Sequence, residues 1–356
     1  MTAWTSITAP EHHFAVECAR RRGLLPAGAL GGFGETVDRM AAARGSSLGH
    51  LAPERVVLVA FAADHGIAYA GVSAYPPTAT ASRITDLASG VGPIAALASD
   101  AGVVVRTVDV AVRGDLTDSA VDTSHRVRSA CGRIDMQDAL SAEELQQCFD
   151  AGIAMADAEV DGGADLLIGA VCGVAVSTPT AAVVSAVTGI EPVDATTRGS
   201  GIDDQGWIAK CEAVRDARFR ARDSYGDASD LLRIAGGPDL AALTAFIARA
   251  AARRTPVLID DVPSALCAVL ANRLAPGTDG YVLAADTVPE RTYARLLQLL
   301  GTSAISTHQI GLGSGAGALL AVPALRSAAR LVDRVDQFGV AERDEHAIDA
   351  WDAELL

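Results

Sequence analysis

Aromatic residues are scarce in this 356-residue chain, at 4% of the total, although half of all residues are hydrophobic. A core of Ala, Val, Leu and Gly rather than large rings suits helices packed closely on a parallel sheet. Basic residues are also in short supply: 29 Lys plus Arg stand against 44 Asp plus Glu, a formal net charge of −15. That balance excludes nucleic acid as a partner, because polyanion binding needs a basic footprint. It leaves room for a small phosphate site, which needs only a helix start and a cation or two. The six cysteines, Cys18, Cys131, Cys148, Cys172, Cys211 and Cys267, form no CxxC pair and no cluster with histidine. Neither a metal site nor a disulfide framework is expected, and the thiols read as reduced in a cytoplasmic protein. No stretch reaches the roughly 18 uninterrupted apolar residues of a membrane helix. The N-terminal stretch, with Glu11, His12 and His13 ahead of any long apolar run, does not read as a secretory signal. Internal repeats and low-complexity linkers are absent as well.

What is present is an alternation. Short aliphatic runs at Arg55–Phe61, Val103–Val108, Asp165–Gly169, Val257–Ile259 and Gly280–Leu283 read as buried strands. Ala-rich segments of helical spacing lie between them, at Ile84–Asp100, Ala142–Asp161, Thr178–Thr188, Leu240–Ala252, Ser264–Arg273 and Glu290–Leu300. The expected fold class is α/β, a Rossmann-like, mostly parallel sheet flanked by helices with right-handed crossovers. Residues 51–323 form this α/β domain. Residues 1–50 and 324–356 are more charged and helical, with a break at Pro26 and Gly28–Gly34, and are expected to pack together as a small helical subdomain. The acidic tail after Gly339 reads as frayed.

Ligands of such sheets bind beyond the carboxyl ends of the strands, so the residues there are the candidates. Asp64 and His65 follow the first strand and have the chemistry of an acid/base pair. Adjacent residues rarely both face one ligand, however, which favours a structural role. Gly173 through Thr178, ahead of Pro179 and a helical run, offer hydroxyls and free N–H groups either for an anion or for plain N-capping. The loop Arg198 to Asp204 carries Gly199 and Gly201, with Lys210 close behind as a point charge. Gly311 to Gly317 form a glycine-rich loop before an apolar helix that reaches Pro323. Its Gly313-x-Gly315 spacing comes too late in the chain, and without the acidic partner, for a dinucleotide fingerprint. Ser314 lacks the context of a serine nucleophile.

Taken in order, these segments resemble the nicotinate-nucleotide–dimethylbenzimidazole phosphoribosyltransferases of cobalamin biosynthesis, from about Leu24 to about Val335. The resemblance is carried by Pro26 to Gly31, Phe61 to Gly66 with Gly71 to Pro76, Arg198 to Asp204 with Lys210, Gly236 to Ala242, Pro256 to Asp260, and Leu312 to Pro323. It implies a homodimer that moves phosphoribose from nicotinate mononucleotide to a ring nitrogen of a benzimidazole-like base, with no metal and no cofactor. Nicotinate leaves readily because its ring nitrogen is already cationic, so the protein mainly positions the reactants and removes the acceptor's proton.

The departures from the family pattern fall on that proton. The family's general-base Glu aligns with Ser314 and the Arg before it with Gly311. A second acidic residue aligns with Val171, an Asn with Val176, a Gln with Ser82, and a His-Arg-Ser run with Asp286, Thr287 and Val288. The implied phosphate and ribose contacts persist at Ser73, Gly173, Ser177, Thr178, Arg198, Gly199, Gly201 and Lys210. The implied base pocket comprises Asp64, Tyr75, Ser82, Asp286, Gly313 and Gly315. Losing a general base costs roughly a hundred- to ten-thousand-fold in rate. The expectation is therefore a family member of weakened or redirected activity, in which new carboxylates at Asp261 or Asp286 could serve another acceptor. The alternative is a non-catalytic homologue that binds nucleotide as a regulatory or partner subunit, in a heterodimer with an intact homologue.

Overall fold

A computed structural model describes residues 2–337. Its centre is a six-stranded sheet in the order β2-β1-β3-β4-β5-β6. The strands are β1 (Val56–Ala63), β2 (Val104–Ala111), β3 (Leu166–Cys172), β4 (Val257–Ile259), β5 (Val282–Asp286) and β6 (Ala304–Ser306). Every neighbouring pair is parallel. The chain runs from β1 outward to β2, then returns to β3 on the other side of β1. That reversal opens a crevice at the carboxyl ends of β1 and β3.

All eight residues of β1 are buried, as in a sheet covered on both faces. Side chains alternate along a strand, so β1 feeds two cores. Val57, Val59 and Phe61 pack with Phe149, Val183, Leu243 and Phe246 on one face. Val56, Leu58, Ala60 and Ala62 pack with Val37, Met40, Leu319 and Val322 on the other. On the first face, helices Ala142–Asp161 and Pro238–Ala252 approach until a Cβ on Gly152 would lie 2.0 Å from the Ala242 carbonyl oxygen. The scarcity of large side chains is what permits this contact. The Ala142–Asp161 helix starts with a capping box, in which Ser141 and Glu144 satisfy each other's backbone N–H groups.

The alternation anticipated from sequence is present, with several differences. Strands β1, β2, β3 and β5 run on to Ala63, Ala111, Cys172 and Asp286, so residues expected just past the strands lie within them. Helices Asp204–Arg220 and Ala228–Ala235 were not anticipated. The helix expected over Ile84–Asp100 is two helices, Ala79–Ala88 and Pro93–Ala101. Gly90 and Gly92 adopt positive φ between them and Pro93 opens the second. Strand β6 was not anticipated, being three residues long.

Helices His12–Arg22 and Gly32–Arg44 pack on helix Ala316–Asp333, which runs unbroken through Pro323. Arg21 donates to the Val332 and Asp333 carbonyls at 3.0 Å each. The Asp333 carboxylate accepts from the N–H groups of Gly49, at 2.7 Å, and Leu51, at 3.1 Å. The tail after Gly339 lies outside the described residues. Among those described, no helix is long and apolar enough to cross a membrane.

Candidate active site

The loops beyond the carboxyl ends of the strands enclose a cavity of about 730 Å³. Val72, Ser73 and Tyr75 come from the segment after β1, and Val171 to Ser177 from the end of β3 and the turn beyond it. Asp261 to Pro263 follow β4, Val288 and Glu290 follow β5, and Ile310 to Ser314 follow β6. Thr197, Gly199 and Ser200 close one side. A second groove, of about 490 Å³, lies along helix Asp204–Arg220 beside Trp207 and Phe219 and holds none of the candidate residues.

One wall is built around a buried cation. Lys210 is the only lysine in the chain. It is 1% exposed. Its Nζ donates to Ser177 Oγ at 2.9 Å and to the Thr197 carbonyl at 3.0 Å. Among the described residues, no carboxylate lies within ion-pair distance of it. Burial pushes its pKa down to about 8. Gly199, at φ +52°, passes so close that a Cβ would sit 3.1 Å from both Lys210 Nζ and Ser177 Oγ. Glycine is thus required there by conformation and by space. Ser73 Oγ lies 3.3 Å from Ser200 Oγ, which also accepts from the Ala74 N–H at 2.9 Å, tying the loop after β1 to the glycine loop.

The facing end of the cavity is made by the glycine loop before helix Ala316–Asp333. Gly313, Ser314 and Gly315 all have positive φ. A Cβ on Gly315 would meet Leu58 at 2.6 Å, so this glycine lets the loop lie down on the sheet and does not line the cavity. Ser314 Oγ donates to the Val171 carbonyl at 3.2 Å. Asp261 Oδ1 accepts from Ser264 N–H at 2.9 Å and Ser264 Oγ at 2.6 Å, capping helix Val262–Leu274. Burial, opposed by the bonds from Ser264 and the Ser314 N–H, holds the Asp261 carboxyl above the usual carboxylate range.

Several candidates have other work. Asp286 is 1% exposed and accepts from Ser306 Oγ, His308 N–H and Ile310 N–H at 2.7–2.9 Å, fixing the loop after β6 from behind. Burial raises its pKa, but those donors outweigh burial and leave it below the ordinary value. Asp64 is buried and accepts the Arg113 N–H at 2.7 Å. Its neighbour His65 is buried against Asp239, with Nε2 3.1 Å from Oδ2, and its Nδ1 is 3.5 Å from Cys131 Sγ. Neither Asp64 nor His65 is in the cavity wall. Arg198 turns outward to pair with Asp204 and with the Ile202 carbonyl. Thr178 is fully buried, one residue behind the wall, and Gly201 lies beyond it. Ser82 points away from the cavity and caps back onto the Ala79 carbonyl. The next residue, Arg83, is in the wall instead, with its guanidinium 3.8 Å from the Tyr75 ring centroid. One step along a helix turns about 100°, which is why matching positions to a motif found Ser82 and missed Arg83.

The chain has counterparts among known proteins. A family model described as phosphoribosyltransferase matches residues 8–342. This chain belongs to that family. It is 42% identical over 348 residues to the nicotinate-nucleotide–dimethylbenzimidazole phosphoribosyltransferase of Mycolicibacterium paratuberculosis, covering 96% of this chain and 99% of that protein. The enzyme of the same name from Mycobacterium tuberculosis is 42% identical over 84% of this chain and 82% of its own length. Among solved structures, CobT from Thermus thermophilus superposes with a TM-score of 0.83 at 30% identity, over 90% of this chain and 96% of that one. The family's α/β architecture, anticipated from the order of the motifs, is therefore the architecture of this chain.

Proposed function

We propose that the protein transfers phosphoribose from nicotinate mononucleotide to a ring nitrogen of a benzimidazole-like base, giving an α-ribazole phosphate. The usual reaction is slowed, or redirected to another acceptor, because Ser314 and Val171 carry no carboxylate. The observation that supports this most is Lys210, a buried cation with no carboxylate partner beside Ser177 and Gly199. A buried ammonium held only by neutral oxygens is incompletely compensated, and a phosphate dianion supplies the missing charge. With the phosphate fixed there, the ribose C1′ extends toward Val171 and Ser314, where the acceptor stands. Nicotinate departs as its ring nitrogen regains an electron pair, so alignment of donor and acceptor carries most of the rate. Purified protein incubated with nicotinate mononucleotide and a panel of azole and phenolic acceptors should release nicotinate, read by chromatography. A silent panel overturns the proposal.

A second reading has its own support. Ser314 Oγ is bonded to the backbone carbonyl of Val171, so the serine at this position is satisfied by a neutral contact. That suits a non-catalytic homologue which binds nucleotide as a regulatory or partner subunit. Binding of nicotinate mononucleotide without turnover, or assembly with an intact homologue, distinguishes it.

A further inference from the structure

We propose that Asp261 is the carboxylate that takes the ring N–H proton of the azole acceptor. The inference rests on the phosphoribosyl-transfer reading above. The carboxylates in the cavity wall are Asp86, Asp261 and Glu290. Asp86 is exposed on helix Ala79–Ala88, and the charge of Glu290 is felt by Lys210 on the phosphate side. Asp261 reaches the other end. It stands at the carboxyl edge of β4, and its Oδ2 is 3.7 Å from where a Cβ on Gly313 would be. It also accepts from the Ser314 N–H. A carboxylate thus approaches the Ser314 position from a neighbouring strand. Asp286, the other carboxylate near these strand ends, has both oxygens engaged by the loop behind the wall.

The surroundings suit a base. Oδ1 is pinned by two donors from Ser264, which fixes the rotamer, and Oδ2, beside the Gly313–Ser314 backbone, keeps at least one lone pair for a proton. Val171, Val262 and Pro263 give the adjacent wall an apolar surface for a flat ring. Partial burial favours the protonated carboxyl and so strengthens the base.

The step balances as follows. The bond from C1′ to the pyridine nitrogen of nicotinate mononucleotide breaks, and its electron pair neutralises that nitrogen. A lone pair on one azole nitrogen forms the new bond to C1′. The proton on the other azole nitrogen passes to Asp261 Oδ2 and then to water.

The test uses Asp261→Asn and Asp261→Ser, both of which keep an oxygen able to cap helix Val262–Leu274. Nicotinate release is measured with a series of benzimidazoles of increasing N–H acidity. With 5,6-dimethylbenzimidazole both variants should lose roughly a hundred- to ten-thousand-fold in kcat. Their affinity for nicotinate mononucleotide should stay within about threefold, and the deficit should shrink as the acceptor becomes more acidic. Wild-type turnover with variants that match it sinks the role of Asp261 and leaves the transfer reading standing. An equal deficit across all acceptors marks Asp261 as structural and also sinks it. A wild type that releases no nicotinate with any azole removes the transfer reading and this inference together.

Discussion

Lys210 makes the donor side of the site testable by pH alone. Its ammonium has a pKa of about 8 because burial disfavours the charge. In the unfolded chain the value returns to 10.5. The folded value is depressed, so the penalty of the buried cation is fully in place below pH 8 and fades as pH rises from 8 to 10.5. At about 1.36 kcal/mol per unit, this side chain adds about 3 kcal/mol to the stability of the free protein across that window. Binding of a phosphate runs the other way, because the dianion needs the cation. At pH 9.5 only about 3% of a group with pKa about 8 is charged, so affinity for nicotinate mononucleotide should fall about 30-fold relative to pH 7. Calorimetry over pH 7 to 9.5 measures this, with about one proton taken up on binding near the upper end. As the only lysine in the chain, Lys210 gives a single signal in protein carrying 13Cε-lysine, so its titration can be followed directly. An ε-carbon that titrates near 10.5 in the free protein, or an affinity that is flat over this range, would falsify the reasoning.

Two further outcomes are expected. Ser314→Glu puts a carboxylate back beside Val171, and at φ of 53° it adds no backbone strain beyond what the Cβ of Ser314 already carries. Nicotinate release with 5,6-dimethylbenzimidazole should rise by about a hundredfold, whereas an unchanged rate would mean that a base at this position does not limit the reaction, either because Asp261 already suffices or because the pocket no longer fits this acceptor. Asp239→Ala leaves His65 buried without its partner and should destabilise the fold by about 3–5 kcal/mol in urea unfolding; a shift under about 1 kcal/mol would argue against a charged pair.

The sheet was legible because β1, β3, β4 and β5 are largely aliphatic runs, and β2 is one interrupted by Arg106, Thr107 and Asp109, with helical spacing between them. Strand β6 was not, since Ala304–Ser306 is too short to show a period. Gly90 and Gly92 were readable as a break in principle, yet the Ala-rich spacing on either side masked it. At the site, sequence order pointed to loops that line the cavity but not to the direction of their side chains. Asp64, Asp261 and Asp286 all lie at strand ends. Only Asp261 lines the cavity, because the other two are claimed by backbone N–H groups from distant segments, Arg113 in one case and His308 with Ile310 in the other. Lys210 was found through its motif, while its burial and its lack of a carboxylate partner depend on the packing of helix Asp204–Arg220 against helix Ser177–Thr188.

The helix Ala316–Asp333 joins two distant parts of the molecule. At one end it carries the loop with Ser314, and at the other it is clamped by Arg21, Gly49 and Leu51. Eighteen residues of α-helix make a rod about 27 Å long. The N-terminal helices and the cavity thus share one element. Shortening the chain from its amino end would remove partners of the helix that follows Ser314, so a tag or fusion placed there bears on an element of the cavity from the far side of the molecule.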